Sequence, residues 1–236
     1  YRKDLSSTDL PTGQVQLTLG LVLDYIQSDG TGTTVKDNGV YKPVSANGDI
    51  NDIGTIVTIG DQQFYTIGTE GDNVKLLSMY NLYVGNQFDA DNGVVPLTSP
   101  TGKQSELARG WIDGADEWYG TTAFSNTDST YEGSIVEGYV NNYKTILEED
   151  YGVDVVEARL ISYDELTDSE TFACVRYNSC SSKYPWIYST SYWSGSASNT
   201  FSVWNVISHG GFDRNDYGHE ESFGVRPVIV ISKDYF

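Results

Sequence analysis

The side chains best able to do chemistry are two histidines, two cysteines and a few clustered carboxylates. His209 and His219 share a polar stretch with Asp213, Asp216, Glu220 and Glu221. His209, Asp213 and His219 could together offer a divalent metal two imidazoles and one carboxylate. Their spacings of four and six fall in a Gly-containing loop, without the helix-face geometry of a His-Glu-x-x-His motif. Exposed polar residues of a contact surface explain them as well. Cys174 and Cys180 enclose Val-Arg-Tyr-Asn-Ser, and no neighbouring His or Cys completes a zinc set. Two readings stay open for them: a small surface disulfide, or two free, buried thiols. Asp89-Ala90-Asp91-Asn92-Gly93 resembles the first half of a calcium loop, but the twelfth place, which needs Glu, is Pro100. That excludes an EF-hand. An irregular calcium site stays open, with a solvated Asx turn preferred. Glu148, Glu149 and Asp150 are consecutive, so on a helix they splay around the axis and cannot converge on one proton or ion. There is no Gly-x-Ser-x-Gly, P-loop or dinucleotide fingerprint. The expectation is a protein that is not an enzyme and needs no cofactor.

The elements that must position these residues belong to a chain of 236 residues, enough for one large domain with a sizeable core. Net charge is −19, with only 14 basic residues. Such a surface repels nucleic acid and anionic membrane, since both require Lys and Arg to displace counterions. Basic or neutral proteins, glycans and divalent cations remain as partners. No run of about 18 apolar residues exists to span a membrane. The chain starts at Tyr1 with neither Met nor a leader, so a mature or truncated form is expected, with an export signal encoded upstream. Eighteen Tyr and five Trp against one Met favour aromatic side chains with polar handles, in β-rich cores or on contact surfaces.

Residues 1 to 13 are polar and expected to fray. Val15, Leu17, Leu19, Leu21 and Leu23 alternate with other residues, predicting a strand, with a helix as runner-up. Residues 53–59, 64–67 and 74–79 read as a three-stranded meander with turns at Gly60-Asp61 and Glu70-Gly71-Asp72-Asn73. Residues 1–52 are therefore read as an N-terminal strand-and-loop extension, and residues 53–236 as the domain. Ser129-Thr130-Tyr131-Glu132 has the form of a capping box opening one long helix, with Ile135, Val136, Tyr139, Val140, Tyr143, Ile146 and Leu147 as its buried stripe and Gly152 as its stop. A strand over 153–161 and a second capping box, Ser162-Tyr163-Asp164-Glu165, follow. Everything after Tyr184 reads as β, giving an α+β plan.

Within residues 192–231 two kinds of sequence alternate. Tyr192-Trp193-Ser194-Gly195, Val203-Trp204 and Gly224-Val225-Arg226-Pro227-Val228-Ile229-Val230-Ile231 have strand composition, while Ser196–Thr200 and Asn205–Ser222 are polar and dotted with aromatics. This order resembles bacterial surface proteins with a C-type lectin-like fold, a fold shared by the variable proteins of diversity-generating retroelements. The short Leu160-Ile161-Ser162-Tyr163-Asp164-Glu165 stretch is similar to theirs as well. The resemblance implies antiparallel sheets with two helices and a long, loop-rich C-terminal β region. Trp193, Gly195, Trp204, Gly224, Arg226 and Pro227 would be scaffold. Ser198, Asn199, Phe201, Asn205, His209, Phe212, Asp213, Asn215, Tyr217 and His219 would face a ligand, a protein or glycan on another cell, host or phage. It tips the two cysteines toward a disulfide in an exported, cell-surface protein. Many relatives have Trp-Leu-Arg-Ser-Pro-Gly where this chain has Tyr192-Trp193-Ser194-Gly195-Ser196. A subgroup with Tyr-Trp-Thr-Gly-Ser-Ala is nearer, and some of its precursors carry prepilin-type segments. Self-assembly as a subunit of a pilus or surface filament is therefore the alternative function. A formylglycine-generating enzyme uses a related fold, but its cysteine spacing and context are not matched by Cys174 and Cys180. Arg226, inside an apolar strand, is read as structural, its guanidinium satisfying loop carbonyls or a carboxylate.

Overall fold

The structure is a computed structural model that describes residues 34–35, 41–111, 115–174, 180, 182–208, 210–218 and 223–236. The strand expected around Val15–Leu23, together with His209 and His219, lies outside the described residues.

Two sheets carry the architecture. The first has six strands in the order β10-β15-β6-β5-β4-β3, every neighbouring pair antiparallel. Its strands are β3 (Val44–Ala46), β4 (Ile56–Ile59), β5 (Gln62–Glu70), β6 (Asn73–Ser78), β10 (Val155–Leu160) and β15 (Pro227–Ser232). The expected meander is its β4-β5-β6 part. The second has seven strands in the order β13-β12-β11-β14-β9-β7-β8. These are β7 (Asn86–Asp89), β8 (Gly93–Pro96), β9 (Trp118–Thr122), β11 (Tyr192–Asn199), β12 (Ser202–Ile207), β13 (Gly211–Asp216) and β14 (Phe223–Gly224). Among the described strands, only β11 and β14 pair parallel. A two-residue pairing of β1 (Thr34–Val35) with β2 (Tyr41–Lys42) stands apart. Among the described residues there are two α-helices, α1 (Ile135–Tyr151) and α2 (Tyr163–Thr167), so the class is α+β.

Two of the sequence boundaries move. The proposed extension of residues 1–52 contains β3, which is the outermost strand of the six-stranded sheet, and Val44 is buried in the core. The long helix is capped by Ser134 and not by Ser129: Ser134 Oγ accepts the Glu137 amide at 3.1 Å, and Glu137 Oε2 accepts the Gly133 amide. Ser129 is buried and its hydroxyl donates instead to the Asn199 carbonyl at 2.7 Å, a tertiary use that no local pattern announces. The rest of that helix follows its pattern. Val136, Val140, Tyr143 and Leu147 are buried, and Gly152 ends it in the left-handed conformation with its amide on the Leu147 carbonyl. Asp150 at its end is not only solvated: it pairs with Lys103 at 2.8 Å, which ties the loop after residue 100 to the helix. Ser162 and Glu165 form the expected reciprocal capping box on α2, and Arg159 grips the same Glu165 with both terminal nitrogens at 2.7 and 2.6 Å.

Burial divides into two clusters. One gathers α1 with Val74, Leu76, Ile229, Ile231, Trp193 and Val203. The other gathers Leu166 of α2, Cys174, Cys180, Ile187, Tyr192, Val206, Phe212, Leu77 and Val228. Alternation along β15 explains the division. Ile229 and Ile231 face one cluster and Val228 faces the other, as expected of a central strand covered on both sides. Cys174 and Cys180 are joined by a disulfide, but it is not at the surface: both half-cystines are buried in the second cluster. No helix among the described residues is long and apolar enough to cross a membrane.

Candidate ligand-binding site

The C-terminal module is built on the β11–β12–β13 meander. Its register places Ser202, Trp204 and Val206 opposite Asp216, Arg214 and Phe212, and Val203 and Asn205 opposite Asn215 and Asp213. Cross-strand partners share a sheet face, so one face carries Trp204, Phe212 and Arg214 and the other Val203, Asn205, Asp213 and Asn215. The first face packs on α2. Tyr163 stacks on Trp204 at 4.0 Å between ring centroids and meets Phe212 edge-on at 5.6 Å, while the Arg214 guanidinium lies 5.5 Å from the Trp204 ring.

This packing corrects two expected contact residues. Phe212 is 2% exposed and Asn205 1%, so neither can reach a ligand. Sheet positions here are covered on both faces by the two clusters, which an isolated strand pattern cannot show. Asn205 is instead a polar joint: its Oδ1 accepts from Asn215 Nδ2 at 2.9 Å, and its own Nδ2 is buried without a partner among the described residues. Tyr217 is half-buried, packed against the first cluster, and its carbonyl accepts the Phe124 and Ser125 amides.

What remains outward is concentrated at the β11–β12 hairpin. Phe201 is 67% exposed, the most exposed large hydrophobic among the described residues. Its position is fixed by backbone on both sides. Its amide donates to Asn199 Oδ1 at 2.8 Å, and its carbonyl accepts the Tyr217 amide at 3.2 Å. The Asn199 carbonyl in turn accepts from Ser129. Asn199, Thr200 and Asp216 are exposed beside it, and Ser198 and Tyr217 are half-buried. Asp213 and Asn215 are half-buried further along β13. The expected set is thus split into an exposed hairpin tip and a mostly internal ladder.

The six residues expected to be scaffold are placed as follows. Trp193 is fully buried with Nε1 donating to the Thr122 carbonyl at 2.8 Å, and the Gly195 amide donates to the Ile161 carbonyl at 2.8 Å. Trp204 is half-buried under Tyr163. Gly224 lies so close to Asn81 that a Cβ there would overlap its side-chain amide. Pro227 pairs with Leu160 at the start of β15. Arg226 is fully buried. It donates to the carbonyls of Ser78, Trp186, Ile187 and Met79 at 2.7 to 3.2 Å, and it lies 5.0 Å from the Tyr192 ring. Burial draws its pKa below the ordinary guanidinium value, and it makes no ion pair among the described residues.

At the calcium-like turn, Asp89 Oδ1 accepts the amides of Asp91 and Asn92, and both its oxygens accept from Asn92 Nδ2. These bonds, those of the Asn92 side chain first, hold the Asp89 carboxyl below its usual range, which is the behaviour of an Asx turn. No group of three metal-ligating side chains occurs among the described residues. Sequence reasoning missed Tyr163, which supports the aromatic face, and Ser129, which holds the hairpin. Only the short motif around Tyr163 carried any signal. Compared with protein-family models, curated proteins and solved structures, the chain has no match.

Proposed function

We propose that this chain is an extracellular, adhesin-like binding domain of C-type lectin-like fold that recognises a protein or glycan through the exposed tip of its C-terminal β module. The observation that carries this reading is Phe201, an exposed aromatic held by hydrogen bonds on a rigid hairpin and ringed by Asn199, Ser198, Asp216 and Tyr217. Aromatic area at low entropic cost, bordered by adaptable polar groups, is the chemistry of recognition surfaces. The disulfide agrees with an oxidising compartment, and a net charge of −19 favours basic or neutral partners over nucleic acid.

A second reading, a subunit of a pilus or surface filament, has its own support. Val156, 61% exposed, lies on β10, the outermost strand of one sheet, and Val94, 41% exposed, lies on β8, the outermost strand of the other. Exposed valines on outer strands offer apolar contact to a neighbouring copy.

The test is a glycan-and-protein binding screen of the wild type beside a double variant, Asn199→Ala with Phe201→Ala, shown to melt at the same temperature. Binding by the wild type and loss in the variant are expected. Equal binding by both moves recognition away from the hairpin, and concentration-dependent assembly abolished by Val156→Lys would replace the binding reading with the filament.

A further inference from the structure

At the far end of β11 from Phe201, the loop after β6 and the segments around residues 106–109 and 189–190 line an open cavity of about 180 Å³. Tyr65, Tyr80, Asn81, Glu106, Arg109 and Ser189 line it. Eight strand residues separate it from the hairpin tip, about 25 Å at 3.2–3.4 Å each, so it is a different place on the molecule.

Its walls are prepared. Tyr65 is stacked on Trp186 with centroids 4.6 Å apart, which holds its ring still. Tyr80 Oη donates to Glu106 Oε1 at 2.9 Å and fixes the carboxylate, whose remaining lone pairs can still accept. Asn81 is fully buried. Its Nδ2 donates to Thr190 Oγ1 at 2.9 Å and to the Ser191 carbonyl at 3.2 Å, which fixes the wall behind Tyr80, while its Oδ1 is buried with no partner among the described residues. Arg109 is exposed and makes no ion pair among the described residues.

We propose that this cavity binds a single neutral sugar ring, independently of the hairpin. The volume lies below the roughly 300–1,000 Å³ of sites for drug-sized ligands, so the occupant is one small ring. One carboxylate and one guanidinium leave the rim without net charge, which disfavours phosphorylated or multiply charged ligands. A pyranose has an apolar C–H face suited to the tyrosine rings and a rim of hydroxyls that both donate and accept. Glu106 accepts from those hydroxyls, Arg109 donates to them, and Ser189 can do either.

Saturation-transfer NMR on the full chain, with the methyl glycosides of glucose, galactose, mannose, N-acetylglucosamine and N-acetylgalactosamine, tests this. At least one glycoside should bind. Glu106→Gln and Arg109→Ala, both at exposed positions, should each weaken it by about tenfold, the loss of one charge-assisted bond. Phe201→Ala should leave it unchanged. Arg109→Ala decides the matter if the other variant melts early. Absence of transfer from every glycoside, binding that survives both cavity variants, loss on Phe201→Ala, or binding of free amino acids in place of sugars would each overturn the assignment. Failure of the hairpin screen alone would leave it standing.

Discussion

Two parts of the same C-terminal module treat their side chains in opposite ways. From Gly224 to Ile231 every residue is buried, and the one charge, Arg226, is spent on backbone carbonyls of four other residues drawn from two segments. From Asn199 to Phe201 every residue is exposed, and the turn is held by main-chain bonds, the Asn199 side-chain amide and the Ser129 hydroxyl. The difference lies in what each part is bonded through. The buried segment is specified by side chains, so replacing one disturbs the fold. The bonds that hold the hairpin use its main-chain atoms and the Asn199 amide, so the Thr200 and Phe201 side chains are free to change.

Breaking the first part should have the largest effect. Arg226→Met leaves several buried carbonyls without donors and should cost on the order of 3–5 kcal/mol, read as a lower urea midpoint. Arg226→Lys should recover little, because an ammonium cannot span carbonyls on separate segments. Replacing Cys174 and Cys180 together by Ser opens a short loop in the second cluster and should cost about 2 kcal/mol, measured the same way under non-reducing conditions.

A pair of serines sharpens the contrast. Ser134→Ala removes the helix cap and should lower stability by about 1 kcal/mol without altering ligand binding. Ser129→Ala frees the Asn199 carbonyl, so the amide exchange of the hairpin should rise while the helix stays protected.

A smaller effect is expected from acid. Burial raises the Glu165 carboxyl, but hydrogen bonds from Arg159 and Ser162 outweigh it and hold the group below its usual range. Its contribution is therefore complete above the ordinary carboxylate pKa and is lost as pH falls through the lowered folded value. The melting temperatures of wild type and Glu165→Gln should differ at neutral pH and converge in acid. Smallest of all on stability is Phe201→Ala, within about 0.5 kcal/mol by urea titration, even though it should remove binding.

Much of the buried framework is legible in the amino-acid order itself. The Gly-Val-Arg-Pro run, the helix stripe through Val136, Val140, Tyr143 and Leu147, the meander from Ile56 to Ser78 and the capping box at Ser162 are local patterns, written within a few residues of where they act. The candidate face is less legible. Asn205 and Phe212 have the composition of contact residues, and alternation says which residues share a face, but not whether a second layer covers that face.

Local chemistry along the chain settles the class of the strongly patterned segments, the long helix, the meander and the capped short helix, and the excess of negative charge, but not the strands β7, β8 and β9, which lie in a stretch that reads as irregular. It settles these because capping, φ preference and side-chain period are properties of neighbours in sequence. Which serine caps and which reaches Asn199, that Arg226 is met by carbonyls and not by a carboxylate, that the disulfide is buried, and that Asn81 closes one wall of a cavity were decided by contacts across scores of residues. Such contacts exist only once two sheets and a helix have packed, and no short-range pattern encodes them.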